Sequence, residues 1–118
     1  MIDVSDLIGV PYKDHGRSKE EGFDCYGLVL EIAWRMEKPL PDVWYQNHNL
    51  ELSNENAHLL PIHEVDYITE GVIIEMEVNN ELHIGVALNN REMIHATRKG
   101  VRINQIGMFP VRQLYTWD

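Results

Sequence analysis

Residues 71–97 read GVIIEMEVNNELHIGVALNNREMIHAT, and the punctuation of this stretch decides the fold. Gly71 to Val78 is a β-branched, partly alternating apolar run that stops at Asn79-Asn80, the pattern of a strand ending in a turn. Leu82 to Leu88 reads as a second strand, Asn89-Asn90-Arg91 as a tight turn, and Glu92 to Thr97 as a third strand. Arg98-Lys99-Gly100 turns the chain into Val101-Arg102-Ile103, and Val111 to Trp117 supplies a last strand. Short strands joined by Asn- and Gly-containing turns predict an antiparallel sheet of about five strands.

Upstream the periodicity changes. In residues 25–37, CYGLVLEIAWRME, the apolar side chains of Cys25, Leu28, Val29, Ile32, Ala33 and Met36 recur at steps of three or four. That spacing places them on one face of a helix. Asp24 is the expected N-cap, its charge suited to the positive end of the helix dipole. Gly27 lowers helix propensity but permits close packing, and Pro39 and Pro41 end the helix. Residues 2–8 are expected to form a short helix before Gly9-Val10-Pro11, and residues 12–22 an exposed loop. Residues 44–63 show no clear period. A helix followed by a meander makes an α+β fold, expected as one domain over residues 1–118.

Composition narrows the function. The 118 residues carry 19 acidic and 10 basic side chains, a net charge of −9. Such a chain repels a phosphate backbone unless its cations cluster, so nucleic-acid binding is disfavoured. No apolar run is long enough for a membrane span, and the N-terminus lacks the basic and apolar regions of a secretory signal. Synthesis in the cytoplasm is expected, with any export by another route. The single cysteine, Cys25, excludes an internal disulfide and Cys-rich zinc motifs. The run Glu70, Glu75, Glu77 and Glu81 reads as the solvated face and flanks of strands.

Cys25 at a helix start is placed for nucleophilic chemistry, because unpaired N–H groups there lower a thiol pKa and can hold an oxyanion. Its place in the apolar stripe equally suits an inert buried thiol. His83 and His95 lie on adjacent strands. With Ala87 opposite Arg91, His83 faces His95 directly, on the sheet face shared with Gly85 and Ala87. Those small neighbours leave room for the helix carrying Cys25, while Ile84, Val86 and Leu88 face the core. His83 then serves as base and His95 as its orienter. Taken alone, the two histidines also fit a cross-strand polar pair.

GVPYKDHGRSKEEGFDCYGLV (9–29) and HIGVALNNREMIHA (83–96) together resemble the NlpC/P60 family of papain-like cysteine peptidases. The first stretch is similar to the family's Pro-Tyr, glycine loop and Gly-Phe-Asp-Cys-Ser-Gly-Leu-Val. The second is similar to its His-Val-Gly-Ile-Tyr, turn and Ile-His-Ala, with GVRINQI fitting the next strand. The resemblance implies a helix carrying the nucleophile packed on the sheet, with Cys25 as nucleophile, His83 as base and His95 as the third polar residue. It implies Tyr12 near the oxyanion and Asp24 beside the amino end of the bound peptide. Tyr26 stands where the family most often has serine and is expected to wall the pocket. The loop from Tyr12 to Cys25 is one residue longer than the common form, and Glu70-Gly71-Val72 lacks the family's usual Gly-Asp.

The resemblance further implies hydrolysis of peptidoglycan stem peptides, at a γ-D-glutamyl to diamino-acid bond, with no cofactor or metal. A compact, unexported version resembles members associated with bacteriophage tails, where tail proteins are the partners and the particle or lysis delivers the enzyme to the cell wall. Two other readings stand beside the hydrolase: a non-catalytic assembly module of a phage tail, and a hydrolase of a non-cell-wall acyl or amide substrate. A zinc site drawn from His48, His58, His63, His83 and His95 lacks any HExxH or Cys-x₂-Cys spacing. Trp34 lies off the helix stripe and is expected to pack against a loop. Of the aromatic residues after the helix, Trp44 is the one expected to border the cleft.

Overall fold

The computed structural model describes residues 2–42 and 60–118. Strands β1 (Arg17–Ser18) and β2 (Gly22–Phe23) form a small hairpin ahead of helix α1 (Cys25–Arg35). Then come β3 (Ile62–Val65), β4 (Ile73–Val78), β5 (Glu81–Ala87), β6 (Glu92–Thr97), β7 (Gly100–Gln105) and β8 (Val111–Trp117). The last six form one antiparallel sheet in the order β3-β8-β4-β5-β6-β7. The α+β class is as expected, with six strands in place of about five. The extra strand is β3, which starts at the end of the segment without a clear period. Residues 12–22 are not all exposed loop, since β1 and β2 pair within them, and the start of the chain holds only a 3₁₀ turn at Ser5–Leu7.

Helix α1 forms where the apolar period predicts it and stops slightly early. Glu37 takes a left-handed conformation at φ 61°, Lys38 N–H reaches Ala33 O at 2.9 Å, and Glu37 N–H reaches Trp34 O at 3.1 Å. This pair of bonds satisfies the carbonyls of the last turn before Pro39 arrives. The helix buries Leu28, Val29 and Ile32 against Ile73, Ile84, Val86, Ile94, Ala96 and Val101 of the sheet. Each such side chain, fully buried, contributes about 1.5–3 kcal/mol. Trp34, expected against a loop, is 72% exposed among the described residues.

The opposite sheet face carries a second cluster, Val72, Ile74, Met76, Ala87, Met93 and Ile106. Strand alternation therefore places His83, Gly85 and Ala87 on the face away from α1, which corrects the expectation that this face receives the helix. The space at Gly85 serves the neighbouring strand instead. A Cβ there would lie 3.0 Å from Ile94 O and 3.1 Å from His95 Cβ.

The hairpin register also differs from the expected one. β5 and β6 pair as Gly85↔His95, Val86↔Ile94 and Ala87↔Met93, and Leu88 N–H closes the turn onto Glu92 O at 2.8 Å. Asn89 Oδ1 accepts from both Arg91 N–H and Glu92 N–H at 2.8 Å, which holds Arg91 inside the turn and denies it a partner in the ladder. His83 and His95 are thus diagonal rather than directly opposite. A shift of two positions preserves alternation, so both remain on one face.

Glu75 also departs from its expected place on the sheet. It is fully buried, not solvated, and Tyr115 Oη donates to its Oε2 at 3.3 Å. Tyr115 is itself buried in the core and also meets Gln113 Oε1.

Candidate active site

The nucleophile candidate is held by its neighbours. Asp24 caps α1: its Oδ1 accepts from Gly27 N–H at 2.7 Å and from Arg17 Nη1 at 2.8 Å, and its Oδ2 accepts from His15 N–H at 3.1 Å. Gly27 gives the loop its seat, because a Cβ there would lie 2.0 Å from Gly16 O. Cap, loop and helix start form one unit with Cys25 as the first helical residue. Asp24 is 1% exposed and spends both oxygens on this scaffold. It positions the helix start, and a contact with a bound peptide's amino end is what the resemblance implies for it.

Cys25 and the histidines belong to opposite sides of the sheet, and they line one cleft where β5 and β6 part. The ladder between these strands ends at Gly85↔His95, although β5 starts at Glu81 and β6 runs to Thr97. Ala87 N–H bonds Val72 O on the β4 side, at 2.8 Å. Alternation then points Ile84 N–H toward the opening, where it favours the ionised form of Cys25. A cleft of about 360 Å³ occupies this opening, with Tyr12, Cys25, His83, His95 and Asn104 among its lining residues.

The histidines form a hydrogen-bonded chain. His83 Nε2 lies 2.9 Å from His95 Nδ1, and His95 Nε2 lies 2.8 Å from Asn104 Oδ1. The Asn104 carbonyl oxygen accepts only, so His95 carries its proton on Nε2. Neutral His95 then presents a bare Nδ1, and His83 donates to it from Nε2. His83 Nδ1 is left as the proton acceptor. Burial holds the His95 pKa below its ordinary 6.5, against the opposing pull of Asn104, which keeps the ring neutral at pH 7. Phe109 closes the far side, edge-on to His95 at 5.2 Å between ring centroids.

The surroundings of the thiol disfavour its ionised form. Burial, reinforced by the Asp24 charge, pushes the Cys25 pKa up to about 12, and the N–H groups of Ile84, Tyr26 and Cys25 only partly offset this. The helix start was expected to lower it. Desolvation outweighs the N–H donors because Cys25 is 4% exposed.

Tyr12 is half-buried in the cleft wall, with the Arg98 guanidinium 4.8 Å from its ring centroid. Burial raises its pKa, so the phenol stays protonated and available as a donor. Tyr26, expected in the pocket wall, is buried instead, and its hydroxyl donates to Pro41 O at 2.7 Å. Trp44 lies outside the described residues, as do His48 and His58. Asn104 was missed from sequence. Its signal was available in VRINQ, where alternation puts residues 102 and 104 on the face of His95. Among the described residues no three His, Cys, Asp or Glu side chains group to hold a metal ion, and no helix is long and apolar enough to cross a membrane.

Comparison with known proteins gives a consistent picture. The model of the NlpC/P60 family matches residues 9–116. Among solved structures the chain is similar to the NlpC/p60 domain of the peptidoglycan hydrolase SagA, with 19% identity and a TM-score of 0.62. That likeness covers 92% of this chain and 87% of the other. No curated protein matches.

Proposed function

We propose, because the chain belongs to the NlpC/P60 family, that it is a thiol-dependent amide hydrolase acting on peptidoglycan stem peptides at a γ-D-glutamyl to diamino-acid bond. The observation that carries this reading is the relay His83 Nε2 to His95 Nδ1 at 2.9 Å, opening on the same cleft as Cys25. A merely structural polar pair has no need of a cysteine at its mouth or of Asn104 behind it.

The Cys25 pKa supports general-base attack rather than a resting thiolate–imidazolium pair. His83 Nδ1 takes the thiol proton as Sγ bonds to the scissile carbonyl carbon. The carbonyl oxygen gains negative charge, and the Cys25 N–H and Tyr12 Oη are the donors suited to hold it. Removal of one such donor costs about 3–4 kcal/mol of transition-state stabilisation. The tetrahedral species collapses, the C–N bond breaks, and His83 returns the proton to the leaving amine. Water then attacks the thioester, giving its proton to His83, and the acid is released as the thiol reforms. His95 holds the His83 ring throughout.

A digest of purified peptidoglycan, with mass analysis of the fragments, tests this reading. Cleavage within the stem peptide by the unaltered protein, lost in a folded Cys25→Ala variant, is expected. Unchanged function in Cys25→Ala would support an assembly module instead. The phage-tail setting, with delivery by the particle or by lysis, rests on the sequence resemblance, and its test is the presence of the chain in purified virions.

A further inference from the structure

The cleft is electrically unlike the rest of the molecule. The chain carries net charge −9, yet Arg98, Lys99 and Arg102 all line this one opening. Among the described residues that line it, Glu81 is the sole carboxylate. Glu81 lies 3.8 Å from Arg98 and neutralises part of one cation, so the rim stays positive overall. The three cations come from the β6–β7 turn and the start of β7, and Arg102 is paired in register with His95. The Arg98 guanidinium lies 4.8 Å from the Tyr12 ring centroid.

We infer that this rim binds a carboxylate of the substrate adjacent to the scissile amide, so that the protein selects stem peptides whose flanking carboxyl group is free over those in which it is amidated. The inference rests on the hydrolase reading and names its substrate class more narrowly. A chain of this net charge repels anions at long range. A local cluster therefore has to supply the attraction, acting within about 8 Å at physiological salt. Arginine presents a planar fork matched to a carboxylate, and a carboxamide offers it one neutral oxygen in place of two charged ones. Two carboxyl groups flank the proposed bond, the α-carboxyl of the D-glutamyl residue and a carboxyl of the diamino acid. Both supply the same chemistry.

The test uses three synthetic stem peptides: both carboxyl groups free, only the glutamyl α-carboxyl amidated, or only the diamino-acid carboxyl adjacent to the bond amidated. The free peptide is expected to show a kcat/KM at least tenfold above that of one amidated form, and that form identifies the carboxyl group bound. The difference is expected to reside in KM and to shrink between 20 mM and 500 mM salt. Arg98→Gln combined with Arg102→Gln is expected to raise KM for the free peptide by a larger factor than for the discriminated amidated form. Equal kcat/KM for all three peptides overturns the inference while leaving the hydrolase reading intact. Binding of the same peptides to Cys25→Ala, by calorimetry, provides a readout that needs no turnover. Preference for the free peptide there supports the inference even if no peptide is cleaved, a result that would overturn the hydrolase reading alone. Equal binding overturns the inference.

Discussion

His95 Nε2 lies 2.8 Å from Asn104 Oδ1, and this single hydrogen bond sets the proton positions of both histidines. An acceptor at that point puts the His95 proton on Nε2, which bares Nδ1 toward His83 and makes Nδ1 the basic nitrogen of His83. Asn104→Leu is expected to lower kcat by about 10²-fold, the scale of a misoriented catalytic group. Asn104→Asp separates this role from simple packing. A carboxylate stabilises the His95 imidazolium, which cannot accept from His83, so the acid limb of the pH–rate profile should move to higher pH. An unmoved limb in a folded Asn104→Asp protein contradicts the proton assignment.

His95 also links folding to pH. Burial depresses its pKa below 6.5 in the folded chain, so the unfolded chain takes up a proton first as pH falls. The neutral ring's contribution to stability is complete above 6.5 and declines as pH drops below it toward the folded value. Denaturant unfolding at a series of pH values should show this decline in the unaltered protein and a weaker one in His95→Gln. Identical pH dependence in the two proteins contradicts the depressed pKa.

Cys25 should resist alkylation at neutral pH. Its pKa of about 12 leaves almost no thiolate at pH 7, and its sulfur is nearly enclosed. The iodoacetamide rate, read by intact mass, is expected to fall well below that of a free cysteine peptide and to rise with pH through pH 9. Rapid labelling at pH 6 would indicate a preformed ion pair with His83.

The seat of the nucleophile helix is a second point of sensitivity. Gly27→Ala gains about 1 kcal/mol of helix propensity. It also drives a Cβ to 2.0 Å from Gly16 O, a clash with backbone that cannot swing aside. A net loss of about 2 kcal/mol is expected in denaturant unfolding. Gly107→Ala, where a Cβ meets nothing within 4 Å, is the control and should be near neutral.

What sequence could convey here depended on how local the determining contact was. The helix, its Asp24 cap and its apolar face follow from spacing within a dozen residues, and each stands in the structure. The pairing of His83 with His95 survived a wrong register, because Asn89 moved the turn by an amount that keeps side-chain parity. Which face α1 covers was misassigned, since a small residue such as Gly85 makes room equally for a helix or for an adjacent strand. Strand β3 was invisible because its pairing is set by β8, some fifty residues on. Glu75 looked solvated because Tyr115, its buried partner, lies forty residues away in sequence. The parting of β5 and β6, which puts a cysteine from one side and histidines from the other on one cleft, has no local signature.

The central claim is that Cys25 forms a covalent acyl-enzyme with the carbonyl side of the cleaved bond. The most direct measurement is the intact mass of the protein after reaction with a stem peptide and rapid acid quench, followed by mapping of the modified residue. The account predicts an added mass equal to the acyl half of the peptide, located on Cys25 and absent from Cys25→Ala. Release of the amine product at the same rate from Cys25→Ala, with no adduct on the unaltered protein, would contradict it.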